Sequence, residues 1–304
     1  MVKFRKIENL IKKVVAVICH DAGGAVIIST WLQKNNVKFI PVLKGPARKL
    51  FKQKFKNLKI FTLDHAINNC DWVLTGTSLF ADLERKSILK AKSKKIFVCT
   101  FLDHWVNYKL RFTSNEGTIL PDEIWVGDKE AKKIAKKLFN KKIIRQVNNP
   151  FWIDVKESYI NSLSRKKKDD SKINILFASS GFKDRNKINP EIKLSGPEIA
   201  KKFLENIKDI FPNKKINSII IRSHPREKKN RYIKLVSKKN NIFLDKNQDI
   251  YKTLFSSTHV VGCESMVMVI GSIIGLKTIN IDIGVNRLKV IPKRYINQEM
   301  SLLD

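Results

Sequence analysis

No stretch of this 304-residue chain approaches the roughly 18 uninterrupted apolar residues of a membrane span. Its opening, MVKFRKIENLIKKVVAVICHDAGG, lacks the apolar core and small cleavage residues of a signal peptide. A cytoplasmic protein is the expectation. Cysteine is scarce and unpaired in sequence: Cys19, Cys70, Cys99 and Cys263 form no C-x-x-C motif, which argues against both a zinc site and a disulfide framework. Three of the four end or interrupt apolar runs and read as small buried residues in a reducing compartment. Acidic residues are also few, 28 against 60 basic ones, for a formal net charge of +32. That charge alone points to nucleic acid or an anionic membrane. Arginine, however, supplies only 12 of the 60, and arginine is the residue suited to bidentate phosphate and base contacts. The lysines are dispersed along the chain with no aromatic-interleaved binding motif between them. The pattern speaks against nucleic acid. It leaves a general attraction for phosphorylated substrates or anionic headgroups, including peripheral contact with the inner face of a membrane.

What is present is apolar material, 43% of the chain, enough for one large core or two ordinary ones. Short Val/Ile-rich runs recur at 14–19, 39–43, 72–75, 96–100, 124–126 and 143–147. Runs without alternation are what strands buried on both faces look like. Helices fit between them at about 25–35, 81–92 and 129–139, the last with Asp128 as N-cap. From Lys156 to Lys172 the pattern stops in a densely charged stretch that reads as a solvated linker. It then restarts, with strands at 173–178, 218–222, 241–244, 259–262 and 278–281, and helices at about 197–210, 229–238, 249–255 and 265–274. Strand followed by helix, repeated, predicts right-handed crossovers and parallel sheets. The expected class is therefore α/β, with two Rossmann-like parallel-sheet domains facing a cleft, residues 1–155 and 172–304.

In open α/β sheets ligands bind beyond the carboxyl ends of strands, so the residues there are the candidates. The first strand ends in His20-Asp21-Ala22-Gly23-Gly24, where paired glycines either let amides approach an anion or simply serve a tight turn. The spacing is not G-x-G-x-x-G. Thr75-Gly76-Thr77-Ser78, followed by Asp82 and Glu84, could meet phosphate or sugar hydroxyls, or cap the next helix. Phe101-Leu102-Asp103-His104-Trp105-Val106-Asn107-Tyr108 and then Arg111 gather polar groups that are costly in a core. His104 beside Asp103 reads as a general base, a donor to a sugar hydroxyl or a buried His–Asp pair. In the second half, Ser179-Ser180-Gly181 and Arg222-Ser223-His224-Pro225-Arg226 end the first two strands, and fixed arginines around a histidine suit a diphosphate. Gly262-Cys263-Glu264-Ser265 opens a helix whose face is wholly apolar. Glu264 there could take both ribose hydroxyls, with Ser265 and the helix amides on phosphate, or either residue could be an N-cap.

Over nearly its whole length the chain resembles the GT-B superfamily, the two-Rossmann-domain glycosyltransferases and related sugar-nucleotide 2-epimerases. The resemblance implies an acceptor side at Asp21, Gly23 and Gly24. It also implies a nucleotide side at Ser179, Gly181, Arg222, His224, Arg226, Gly262, Glu264 and Ser265. Val269 or Ile270 stands where that superfamily often has a second glutamate, and Glu264 is taken as its substitute. The R-x-H-P segment is also similar to that of polyol-phosphate and capsule polymerases. The superfamily usually closes on a helix, of which 294–303 could form a short version. The activity implied is transfer of a sugar from a nucleotide diphosphate sugar to a glycan or lipid-linked acceptor in surface polysaccharide synthesis, with Asp103, His104 or Asp21 as base. No metal or other cofactor is implied: no D-x-D ends a buried strand, and Asp169-Asp170 lies in the linker. The alternatives are a UDP-amino-sugar 2-epimerase or hydrolase, and a non-catalytic basic module that docks on acidic polymer or membrane.

Overall fold

The computed structural model describes residues 6–114, 117–163, 172–181, 193–225, 227–285 and 289–301. The chain divides into two units, Met1–Ile153 and Asp154–Asp304.

In the first unit the strands are β1 (Val15–Cys19), β2 (Phe39–Leu43), β3 (Trp72–Thr75), β4 (Val98–Leu102), the short pair β5 (Thr113–Ser114) and β6 (Gly117–Thr118), β7 (Glu123–Val126) and β8 (Ile143–Gln146). Six of them form one parallel sheet in the order β2-β1-β3-β4-β7-β8, while β5 and β6 make a separate antiparallel ribbon. Every residue of β1, β3, β4 and β7 is buried, as continuous apolar runs require when helices cover both faces. Helices Ala22–Lys34, Leu83–Ser93 and Lys129–Leu138 fall where the periodicity puts them, and Asp128 accepts the Ala131 amide at 2.8 Å as N-cap. Three indoles knit this core: ring centroids of Trp31 lie 5.2 Å from Trp125 and 6.2 Å from Trp72, and those of Trp72 and Trp125 are 6.0 Å apart. From β1 the chain passes to β2 on one side and then to β3 on the other. The carboxyl ends of β1 and β3 are therefore this unit's topological switch point.

The second unit contains β9 (Ile173–Ala178), β10 (Ile216–Arg222), β11 (Ile242–Leu244), β12 (His259–Gly262), β13 (Lys277–Asp282) and β14 (Gln298–Ser301). They form a second parallel sheet in the order β11-β10-β9-β12-β13-β14, whose switch point lies between β9 and β12. Phe177, Phe203, Ile219, Val261 and Ile281 centre its core. Helices Gly196–Glu205, Ile250–Phe255 and Met266–Ile273 connect the strands, together with the short helix Ile207–Ile210.

Three expectations change. The supposed linker is helical at its start, inside Pro150–Leu163, because Val155 and Tyr159 bury themselves there. Residues 164–171, including Asp169 and Asp170, lie outside the described residues. The segment 229–238 forms a 3₁₀ turn over Lys229–Leu235. The chain's last described segment is a strand, β14, paired to β13 from Ile279–Gln298 to Asp282–Ser301, where a short helix was expected.

Candidate functional site

At the switch point of the first unit, His20 follows β1 directly. Its Nδ1 lies 2.7 Å from Asp21 Oδ1, and the two side chains keep 30% and 38% of their surface in solvent. Asp21 occupies the N-cap position of Ala22–Lys34, but its carboxylate makes no capping bond, being turned to the imidazole. A carboxylate on Nδ1 fixes the proton of the neutral ring there and leaves Nε2 as an acceptor. No hydrogen bond reaches Nε2 among the described residues. The ring lies on Gly45, where φ is +49° and a Cβ would stand 2.7 Å from Cε1. Only glycine suits that position.

Behind His20 sits Glu84, whose Oε1 accepts the His20 amide at 2.7 Å. The carboxyl is 3% exposed and its Oε2 has no hydrogen-bond partner. Burial pushes its pKa up to about 7 against the pull of the His20 amide. The folded value therefore lies above the unfolded one near 4.5, and the native state binds the extra proton between them. Stability falls as pH rises through that window and is level above it. Glu84→Gln keeps an acceptor for His20 without a charge to bury. It is expected to be more stable than the parent at pH 8, by about 1–3 kcal/mol, and no more stable at pH 4, as read by urea denaturation at both pH values.

Asp103, at the end of β4, turns away from the neighbouring histidine. Its Oδ1 receives Arg111 Nη1 at 3.2 Å, and Thr77, which receives the same Nη1 at 2.7 Å, stands 3.4 Å away. Its Oδ2 would lie 1.9 Å from a Cβ on Gly23. The acid thus occupies the helix start beside Gly23, which is where negative charge is favoured. Gly24 faces Gly76 across a gap that would leave its Cβ 3.1 Å from the Gly76 Cα. Gly23 and Gly24 accordingly serve close packing and a side-chain carboxylate, not an open anion cradle. Gly23→Ala must displace Asp103 and should lower stability by about 1–3 kcal/mol, seen as a fall in Tm. The reading of Asp103 and His104 as a pair is corrected: His104 Nδ1 accepts the Trp105 amide at 3.0 Å, and the Trp105 indole donates to Asp128 at 2.9 Å. Nor does Thr77 or Ser78 cap the next helix. Ser78 Oγ accepts the Phe80 and Ala81 amides, and the helix begins at Leu83.

In the second unit the corners at 222–225 and 262–265 meet through the end of β9. The His224 ring packs on Gly181, where φ is +67° and a Cβ would stand 2.8 Å from Nδ1, while Ser180 Oγ donates to the Cys263 carbonyl. The Tyr232 hydroxyl donates to Glu227 Oε2 at 2.9 Å and lies 2.8 Å from Ser179 Oγ, and Glu227 also accepts the His224 amide at 3.0 Å. These contacts hold β9 and β10 ends together. Arg226 lies outside the described residues.

Two expected ligand contacts are taken up inside the fold. Arg222 pairs with Asp245 at 2.5 Å and donates to the carbonyls of Asn247 and Gln248 at 3.0 and 2.9 Å, so its guanidinium secures the loop after β11 instead of facing a diphosphate. Glu264, at φ +50°, accepts Asn280 Nδ2 at 2.8 Å on Oε1 and the Val290 and Ile291 amides at 2.7 and 2.8 Å on Oε2. Its carboxylate is a clamp on another loop and not an open ribose ligand. Gly262 is required because a Cβ would stand 2.8 Å from the Ala178 carbonyl. The start of Met266–Ile273, at Ser265 after β12, carries no side-chain cap and no acid in its first turn. That leaves the Met266 and Val267 amides for an oxyanion, the Met268 amide being bonded to the Ser265 carbonyl at 2.9 Å.

His20, Glu84 and Arg111 stood in the candidate strand-end segments without being singled out as site members. His20 could have been found as a histidine adjacent to an acid at a strand's end. The bond from the His20 amide to Glu84 could not, since the two lie 64 positions apart.

No protein-family model and no curated protein sequence matches the chain. Solved structures do. The chain is similar to the UDP-GlcNAc 2-epimerase of Methanocaldococcus jannaschii (14% identity, 95% of this chain and 88% of that one, TM-score 0.61). It is similar to a putative UDP-N-acetylglucosamine 2-epimerase from Listeria monocytogenes (12%, 88% and 78%, 0.60), and to the Neisseria meningitidis UDP-GlcNAc 2-epimerase bound to UDP-GlcNAc (14%, 88% and 82%, 0.57). At such identities the likeness is one of fold. It is the GT-B-type arrangement of two Rossmann-like parallel sheets in one chain.

Proposed function

We propose that the protein is a sugar-nucleotide enzyme that transfers the sugar to a hydroxyl acceptor, with His20 as the general base. The observation that carries this is the His20–Asp21 pair at the first unit's switch point, with Nδ1 held at 2.7 Å and Nε2 without a partner among the described residues. Such a pair takes a proton from a hydroxyl through Nε2 while the carboxylate stabilises the resulting imidazolium. Asp103 and Glu84 are the further acids of the corner, Glu84 fixing the His20 backbone. The nucleotide is assigned to the second unit, its phosphates to the amides of Met266, Val267 and Ser180, since those of Ser179, Gly181 and Met268 are bonded within the fold. Arg222 and Glu264 take no part in holding it, since both are engaged elsewhere. The leaving diphosphate would be stabilised by donors already in place.

A second reading, 2-epimerisation or hydrolysis of a UDP-amino sugar, is favoured by the number of acids around one histidine, together with the epimerase folds to which the chain is similar. Both readings require nucleotide binding. A thermal-shift screen of UDP, GDP, CDP and CMP should give stabilisation by one of them. The matching sugar nucleotide should then release nucleotide only with acceptor present. Deuterium entering C2 of the donor in heavy water, without acceptor, would select the epimerase, and silence toward every nucleotide would remove both readings.

A further inference from the structure

The helix Leu83–Ser93 buries Glu84, Ser87, Ile88 and Ala91 on one side. Asp82, Arg85, Lys86 and Leu89, at spacings of three, four and seven, share the other side. With Phe80, Ile119 and the β5–β6 ribbon they line a cavity of about 630 Å³, the size of a small-molecule site. Two of its apolar members are uncovered: Phe80 is 72% exposed and Leu89 53%. Its cations are of two kinds. Arg85 is anchored by Asp82 and by the Ser78 carbonyl at 3.2 Å, whereas Lys86 is exposed and makes no ion pair among the described residues. The ribbon adds the hydroxyls of Thr113, Ser114 and Thr118. A sugar or a bare anion would leave Phe80 and Leu89 unmatched, and a neutral apolar ligand would leave Lys86 unmatched. An anion carried on an apolar chain matches both.

The cavity is built from the same two segments as the acidic corner. Thr77, beside Asp103, is followed three residues later by Phe80; Arg111, which holds Asp103, is followed two residues later by Thr113. A ligand lodged in the cavity would therefore be anchored on the segments that hold Asp103 and on the helix whose Glu84 accepts the His20 amide. We propose that this cavity binds a phosphate-headed amphiphile with a single aliphatic chain, and that such a lipid phosphate carries the acceptor. The role of carrier rests on the transferase reading above, while the binding itself does not.

Calorimetric titration with octyl phosphate as monomer, compared with octyl glucoside and inorganic phosphate, tests the binding. Octyl phosphate should bind at least tenfold more tightly than either control. Lys86→Glu and Phe80→Ser, both at exposed positions, should each weaken it at least fivefold with Tm unchanged, and Leu89→Ser provides a third variant should either fail to fold. Equal binding of octyl glucoside, equal binding by the variants, or binding to phosphatidylglycerol vesicles without binding to the monomer would overturn the proposal. Titration of UDP-sugar on the same samples separates the two readings. Nucleotide binding without octyl phosphate binding removes only the cavity assignment, and the converse removes only the sugar-nucleotide reading.

Discussion

Replacing His20 by glutamine is expected to lower the turnover of donor and acceptor by about 10²- to 10⁴-fold, the usual contribution of a positioned acid–base group. Donor affinity, measured by titration without acceptor, should stay within about twofold, since the residue makes its contribution only as the acceptor loses its proton. Asp21→Asn should also lose rate, because an amide no longer prefers the ring proton on Nδ1 and the imidazole is released from its orientation. The two changes act on one proton transfer, so the double variant should be little worse than the worse single one. A His20→Gln enzyme with full turnover would end the assignment of His20 as base. Full turnover together with loss on changing Asp103 would return that role to the β4 corner.

Glu264→Ala should cost about 4 kcal/mol of stability. Three donors, from Asn280, Val290 and Ile291, lose their acceptor at once, and buried donors left unpaired cost about 1–3 kcal/mol each. Glu264→Gln keeps an acceptor oxygen on one side and should cost clearly less. Equilibrium denaturation followed by circular dichroism reads both. If Glu264 were a ribose ligand, alanine would instead weaken nucleotide binding with stability little changed. The clamp geometry predicts the opposite split for the folded variant under stabilising conditions.

The parallel sheets were legible because strands covered on both faces need unbroken apolar runs, and β1, β3 and β4 are buried at every residue. The helix Gly45–Lys54 was not legible: only Ala47 and Phe51 of its ten residues are buried, too few for a periodicity to emerge from its lysines. Strand β14, with the sequence QEMS, has no apolar run because it lies at a sheet edge and is mostly exposed. At the site, the strand ends were legible as locations. The direction of each side chain was not, since it depends on partners far along the chain. Arg222 is claimed by a loop more than twenty residues later, and Glu264 by amides at 290 and 291. Sequence shows that a charge stands at a corner; the fold decides whether that charge faces a ligand or a loop.

The trio of packed indoles has a spectroscopic consequence. Trp31, Trp72, Trp105, Trp125 and Trp152 all precede residue 154, so the second unit contains no tryptophan. Emission excited where indole absorbs and tyrosine no longer does reports on the first unit alone. Excitation exchanged among Trp31, Trp72 and Trp125, whose rings lie within 6.2 Å, depolarises that light until the sheet between them melts. Fluorescence anisotropy and far-ultraviolet dichroism, recorded on one sample through a denaturant series, therefore tell which half of the chain gives way first without any label being attached.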